Sequence, residues 1–187
     1  MIKLKSIIKE IDDLNVTGQM FSTTISTPYQ TQNNLPEDIR SKSIELLNRA
    51  LSCCIDLAMQ AKQAHWNVKG PNFIALHKLF DEVYELVDGF VDEIAERAVE
   101  LGGIAEGTVQ IVSERSKLPP YPVKSSSDGD HIMALSNALS KFGGFVRRAS
   151  DEAQNFGDAD TMDLFTEISR GIDKILWFIE AHIQSKI

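Results

Sequence analysis

Between Ala64 and Arg97 the chain concentrates side chains suited to holding a metal ion: His65, His77, Asp81, Asp92 and Glu96. His77 and Asp81 lie four residues apart, as do Asp92 and Glu96. Side chains four apart share one face of a helix, so each pair can grip one ion. At about 100° per residue, Leu76, Phe80, Val83, Val87, Phe90, Ile94, Ala98 and Leu101 form one apolar stripe. The four ligand candidates fall on a second stripe flanking it, on the shoulder of the core, where another subunit can cover them. Asp88 shares that stripe and is expected to be solvated or to assist at a dimer axis.

Distance separates the two pairs. Eleven residues from Asp81 to Asp92 span about 16 Å of helix, whereas metal–ligand bonds are about 2 Å long. One ion cannot bind both pairs of one chain. Either each chain holds two incomplete sites, or an antiparallel copy sets its Asp92 and Glu96 opposite His77 and Asp81. A two-fold interface is self-complementary and makes two such sites, and shared sites are the expectation.

The segments "KQAHWNVKGPNF", "LHKLFD", "DEIAERAVELGG" and "KILWFIEAHI" closely resemble the Dps family, the mini-ferritins, over roughly Leu35 to the C-terminus. That resemblance implies a ferroxidase centre between two subunits, with His65, His77, Asp81, Asp92 and Glu96 matching the family's ligands one by one. It further implies a hollow dodecamer that oxidises Fe(II), preferentially with hydrogen peroxide rather than dioxygen, and stores ferric mineral, protecting against oxidative damage. Two irons in each intersubunit site would let peroxide accept two electrons together, with Glu96 as the expected bridge. An imidazole and carboxylate set also suits zinc or manganese.

Positioning these residues requires long helices. The expected fold is all-α: a ferritin-like four-helix bundle over residues 35–187, preceded by an N-terminal tail or arm over residues 1–34. The first helix starts near Pro36-Glu37-Asp38, with acids in its first turn. Ile44, Leu47, Leu51, Cys54, Ala58 and Ala61 recur on one side of it, and His65 falls on the same side. Gly70-Pro71-Asn72 makes a short link, with Asn72 a plausible cap for the second helix, so the two helices are antiparallel neighbours. A long connection to about Ser127 carries a short helix within "GTVQIVSERS", the crossover of the ferritin-like bundle. The third helix is expected from His131 to Phe156, with Gly143-Gly144 a weak point or close-packing site. The fourth is expected from Ala159 to Ile183.

Asp158, Asp163 and Glu167 cluster near the start of that last helix. Acids there complement the helix dipole; the family resemblance makes them candidates for a three-fold pore that draws Fe(II) inward. Trp66 and Trp177 read as packing residues, and His131 and His182 as exposed or structural. Cys53 and Cys54 are adjacent, lack a Cys-x-x-Cys spacing and read as reduced thiols.

The chain has 187 residues, 43% hydrophobic and 25% charged, and a net charge of −8. No apolar run approaches a membrane span, and "MIKLKSIIKEIDDL" lacks a signal-peptide core, so a cytoplasmic location is expected. Acidic charge favours cations and opposes nucleic acid. In the tail, Lys3, Lys5 and Lys9 are cancelled by Glu10, Asp12 and Asp13, so DNA binding is expected to be weak. No Glu-x-x-His pair, phosphate loop, Gly-x-Ser-x-Gly or His-Glu-x-x-His occurs, which leaves metal chemistry. Two alternatives stand beside the ferroxidase: a DNA-compacting nucleoid protein, and a structural bundle with interface zinc and no turnover.

Overall fold

A computed structural model describes residues 29–125 and 127–184. The expected N-terminal arm therefore lies mostly outside the described residues. Five helices follow in order: α1 (Glu37–Asn67), α2 (Phe73–Glu100), α3 (Val109–Arg115), α4 (Asp128–Phe156) and α5 (Ala159–Glu180). Helix α1 packs along α2 and α4 along α5; α1 also meets α4, and α2 meets α5, closing a four-helix bundle. The short α3 rides on α1. No helix among the described residues is long and apolar enough to cross a membrane.

The core follows from the helical period. Every residue of the α2 stripe from Leu76 to Leu101 is buried, as are Ile44, Leu47, Leu51, Cys54, Ala58 and Ala61 of α1. Phe80, Phe142 and Phe165 fill the centre from three different helices. Gly143 lets α4 approach α5 closely: a Cβ there would come within 3.3 Å of Ile172 Cγ2.

Local chemistry sets the helix ends. Helix α4 begins three residues earlier than expected because the Ser127 side chain accepts from Asp130 N, capping it there. Gly157, at φ 93°, ends α4 in the left-handed conformation that glycine adopts without strain. Asp158 caps α5 at once, which makes the α4–α5 turn very tight. Helix α5 stops at Glu180, short of the expected Ile183, which is 40% exposed and has no core to join. Asn72 does precede α2, but its side chain caps nothing; its Nδ2 donates to Asp128 Oδ2 at 3.0 Å.

The crossover is pinned to α1 by buried polar side chains. Asn48 donates to the Ile104 carbonyl and accepts from Glu106 N, both at 2.9 Å. Gln60 donates to the Pro119 carbonyl at 3.1 Å, and Ser116 donates to Asp56. The Asn48 and Gln60 bonds satisfy backbone groups that an irregular segment would otherwise bury unpaired.

Candidate metal centre

Near the C-terminal end of α1 and the N-terminal end of α2, His65 and His77 stack with ring centroids 3.7 Å apart. Their bonding is reciprocal. His65 Nδ1 donates to the His77 carbonyl at 2.7 Å, and His77 Nδ1 donates to the His65 carbonyl at 2.9 Å. A carbonyl only accepts, so each Nδ1 must carry a proton. In the neutral ring the lone pair then sits on Nε2, the atom left for a metal. The same two bonds tie the antiparallel helices together at this point.

Asp81 lies one turn further along α2, its carboxylate 3.8 Å from His65 Nδ1. Lys62 pairs directly with that carboxylate and places its ammonium 4.2 Å from the Tyr84 ring centroid. The Lys62 hydrogen bond, with the charges of the neighbouring groups, holds the Asp81 carboxyl below its ordinary pKa. Lys62 escaped the sequence reading, although it stands three residues before His65 on the same helix face.

The edge bearing these residues is apolar and uncovered within the chain. Trp66 is 61% and Ile74 60% exposed, and Phe73 stands 5.1 Å from His77, ring to ring. Trp66 and Trp177, expected to be packing residues, are both exposed within the chain, so neither packs in the core of the bundle. Their apolar surface has no cover inside one protomer.

The second acidic pair stands apart. Asp92 and Glu96 are exposed on α2, as is Asp88. Among the described residues, no three His, Cys, Asp or Glu side chains converge closely enough to hold a metal ion. His65, His77 and Asp81 are gathered at one end of α2, and Asp92 and Glu96 are not brought to them.

Asp158 occupies a different setting from the pore position its sequence suggested. It is 1% exposed, accepts from Thr161 N at 3.0 Å and from Ser43 Oγ at 2.6 Å, and pairs with Arg97 Nη2 at 3.0 Å. Burial pushes its pKa up, but the Ser43 and Thr161 hydrogen bonds and the Arg97 charge outweigh that and hold it low. Its carboxylate joins α1, α2 and α5 rather than facing solvent. Asp163 and Glu167 are exposed, and Glu167 is close enough to Glu93 of α2 to add to the burial that raises the Glu93 pKa.

His131 and His182 part company. His182 is exposed, its Nδ1 donating to the Phe178 carbonyl at 2.9 Å. His131 is fully buried behind the centre, bonded to the Tyr121 hydroxyl and 6.4 Å from the Phe80 ring. Burial pushes its pKa down, opposed in part by the Asn67 carbonyl and Asp130, so the ring is neutral at pH 7. Nothing in the sequence marked Tyr121 as its partner, because the crossover brings them together. Cys53 and Cys54 are both buried free thiols.

Comparison with known proteins agrees with this architecture. The family model for the ferritin-like domain matches residues 44–186. A DNA protection during starvation protein of Agrobacterium fabrum is 46% identical over 84% of this chain and 98% of its own length. Dps of Mycobacterium smegmatis superposes with a TM-score of 0.79 at 31% identity, covering 83% of this chain and 94% of that one. DpsC from Streptomyces coelicolor gives a TM-score of 0.82 at 28% identity, over 86% and 94%. With a matching domain, a near full-length relative and the bundle itself in agreement, the chain belongs to the Dps family of ferritin-like proteins.

Proposed function

We propose that this protein is a ferroxidase that oxidises Fe(II) at sites shared between subunits and stores the ferric product in a hollow homo-oligomer. Family membership supports iron storage and protection in general; the residues support the finer reading. The observation that carries it is the reciprocal histidine lock, which leaves the Nε2 lone pairs of both rings unused, with the Asp81 carboxylate 3.8 Å from His65 Nδ1, on an uncovered apolar edge. In this reading His65, His77 and Asp81 of one chain face Asp92 and Glu96 of its two-fold mate. Two such chains make a dimer, and the family's dodecamer would enclose the store.

Fe(II) is the substrate. Each ferrous ion gives up one electron; two electrons break the O–O bond of hydrogen peroxide, which takes up two protons and leaves as two waters. The chain's own part is positioning. The histidine lock fixes ring orientation, and Asp81, Asp92 and Glu96 supply negative charge that favours the ferric state. Lys62 neutralises Asp81 until a cation displaces it. Zinc or manganese would suit the same ligands, so preference for iron rests on geometry and supply. Exposed Asp163 and Glu167 remain the pore candidates.

The test is complementation. Fe(II) oxidation by peroxide is followed in His77→Ala/Asp81→Ala, in Asp92→Ala/Glu96→Ala, and in the two co-assembled. Each variant alone is expected to be inactive, and the mixture to regain part of the wild-type rate. Failure of confirmed co-assemblies to regain any activity would mean that each chain builds its own site. A wild type that binds zinc but never oxidises iron would leave the structural-metal reading instead. A DNA-compacting role, which the relatives' name suggests, gains no support from a chain of net charge −8.

A further inference from the structure

Against its acidic balance of 27 Asp and Glu to 19 Lys and Arg, the chain gathers five cations around one cavity. Arg49 comes from α1, Arg115 and Lys117 from the end of α3, and Lys141 and Arg148 from α4; the cavity holds about 270 Å³ and no carboxylate lines it. Cys53, Leu118 and Phe145 supply the rest of its wall. Burial pushes the Cys53 thiol up, so this wall adds no negative charge.

Two of the five cations have acidic neighbours. Arg49 lies 3.7 Å from Glu152 and Arg115 pairs with Glu106. Lys117, Lys141 and Arg148 meet no carboxylate within ion-pair distance among the described residues. Arg49 is further held over the Phe145 ring, 5.6 Å from its centroid, which orients its guanidinium at the cavity. Like charges crowded into a concavity repel one another, and an anion among them reverses that cost.

We propose that this pocket binds a phosphate group. Guanidinium forks and ammonium donors from three segments match a tetrahedral oxyanion better than a single carboxylate. At about 30 Å³ per water in the liquid, the cavity has room for a phosphate and a small substituent, and is below the usual range for larger ligands. Duplex DNA would bring many further phosphates to a chain of net charge −8, which favours soluble phosphate as the source. The proposal is independent of the ferroxidase reading, since its residues include none of the five proposed iron ligands.

The test is calorimetric titration of the assembled, full-length protein with inorganic phosphate at low chloride. Wild type is expected to bind saturably, one phosphate per chain, more weakly as salt rises. Lys117→Glu/Lys141→Glu, both at exposed positions, should weaken binding at least about ten-fold, whereas Lys117→Arg/Lys141→Arg keeps it. A short DNA duplex is then added as competitor. Displacement of phosphate from wild type by the duplex, with duplex binding itself weakened in the charge-reversed variant, identifies a backbone phosphate as an occupant; saturation undisturbed by the duplex identifies soluble phosphate. No saturable phosphate binding by wild type, or equal binding by the charge-reversed variant, overturns the proposal.

Discussion

The two ends of α2 carry ligand-type side chains at the same four-residue spacing, His77 with Asp81 and Asp92 with Glu96, and fold into opposite conditions. At the N-terminal end, His77 is locked to the His65 carbonyl and Asp81 is engaged by Lys62. At the C-terminal end, Asp92 and Glu96 are exposed and form no hydrogen bond or ion pair among the described residues. Helix α1 accounts for the difference. It runs antiparallel beside α2 and brings Lys62 and His65 to the first pair. Near the second pair, Arg97 turns the other way, toward Asp158 and Thr161. One end is organised within the chain, and the other stands exposed on it.

Removing either end is expected to have the largest effect on chemistry. His65→Ala or His77→Ala should lower peroxide-driven Fe(II) oxidation by about 100-fold or more, and Asp92→Ala/Glu96→Ala should do the same. Denaturant unfolding separates them. The exposed acidic pair should change chain stability by no more than about 0.5 kcal/mol, while the histidine variants also lose the tie between α1 and α2. Equal destabilisation by both would break the contrast between an organised end and an open one.

Next in size is Asp158→Ala, which strips a helix cap and leaves the buried Ser43 hydroxyl without its acceptor; a loss of about 3 kcal/mol is expected by urea unfolding. The pH dependence has a definite sign. The folded pKa is depressed, so this stabilisation is fully present above the unfolded value of about 3.9. It is lost as pH falls through the lower folded value. The stability gap between wild type and Asp158→Asn should therefore be constant from neutral pH down to about pH 4 and narrow below it.

Lys62→Met should act in the opposite direction at the organised end. With no ammonium to displace from Asp81, anaerobic Fe(II) titration should show about ten-fold tighter binding, about 1.4 kcal/mol. Weaker binding would mean that Lys62 helps to hold the carboxylate in place. The smallest expected effect is Tyr121→Phe, which removes the hydroxyl partner of His131 behind the centre; about 1 kcal/mol of stability is at stake, read in the unfolding midpoint, with iron oxidation little changed.

The bundle was readable because apolar residues recur at the helical period over four long stretches, and every residue on the predicted α2 stripe is buried. The crossover and its short helix were readable from Gly, Pro and Ser around "GTVQIVSERS". Helix ends were less legible, since they depend on single side chains: Ser127 moved the start of α4, and the core ran out before Ile183. That Trp66 and Trp177 lie outside the bundle core was not legible, because only the packed neighbours reveal which face an aromatic residue occupies. The role of Asp158 was hidden for the same reason. Its cap bond to Thr161 is local, but Ser43 and Arg97 come from other helices, which no local pattern connects to it.

What the sequence by itself determined is everything set by helical geometry along one segment: which side chains share a face, and that Asp81 and Asp92 are too far apart for one ion. Both follow from the fixed rise and turn of the α-helix. What only the tertiary structure decided depends on groups far apart in the chain. The opposed carbonyls of α1 and α2 fix which nitrogen of His65 and His77 carries the proton. Lys62 is set against Asp81, and three segments of unlike composition close a basic pocket on an acidic protein. Proton placement, ion pairing and pocket charge arise from distances through space, and those distances exist only once the helices have packed.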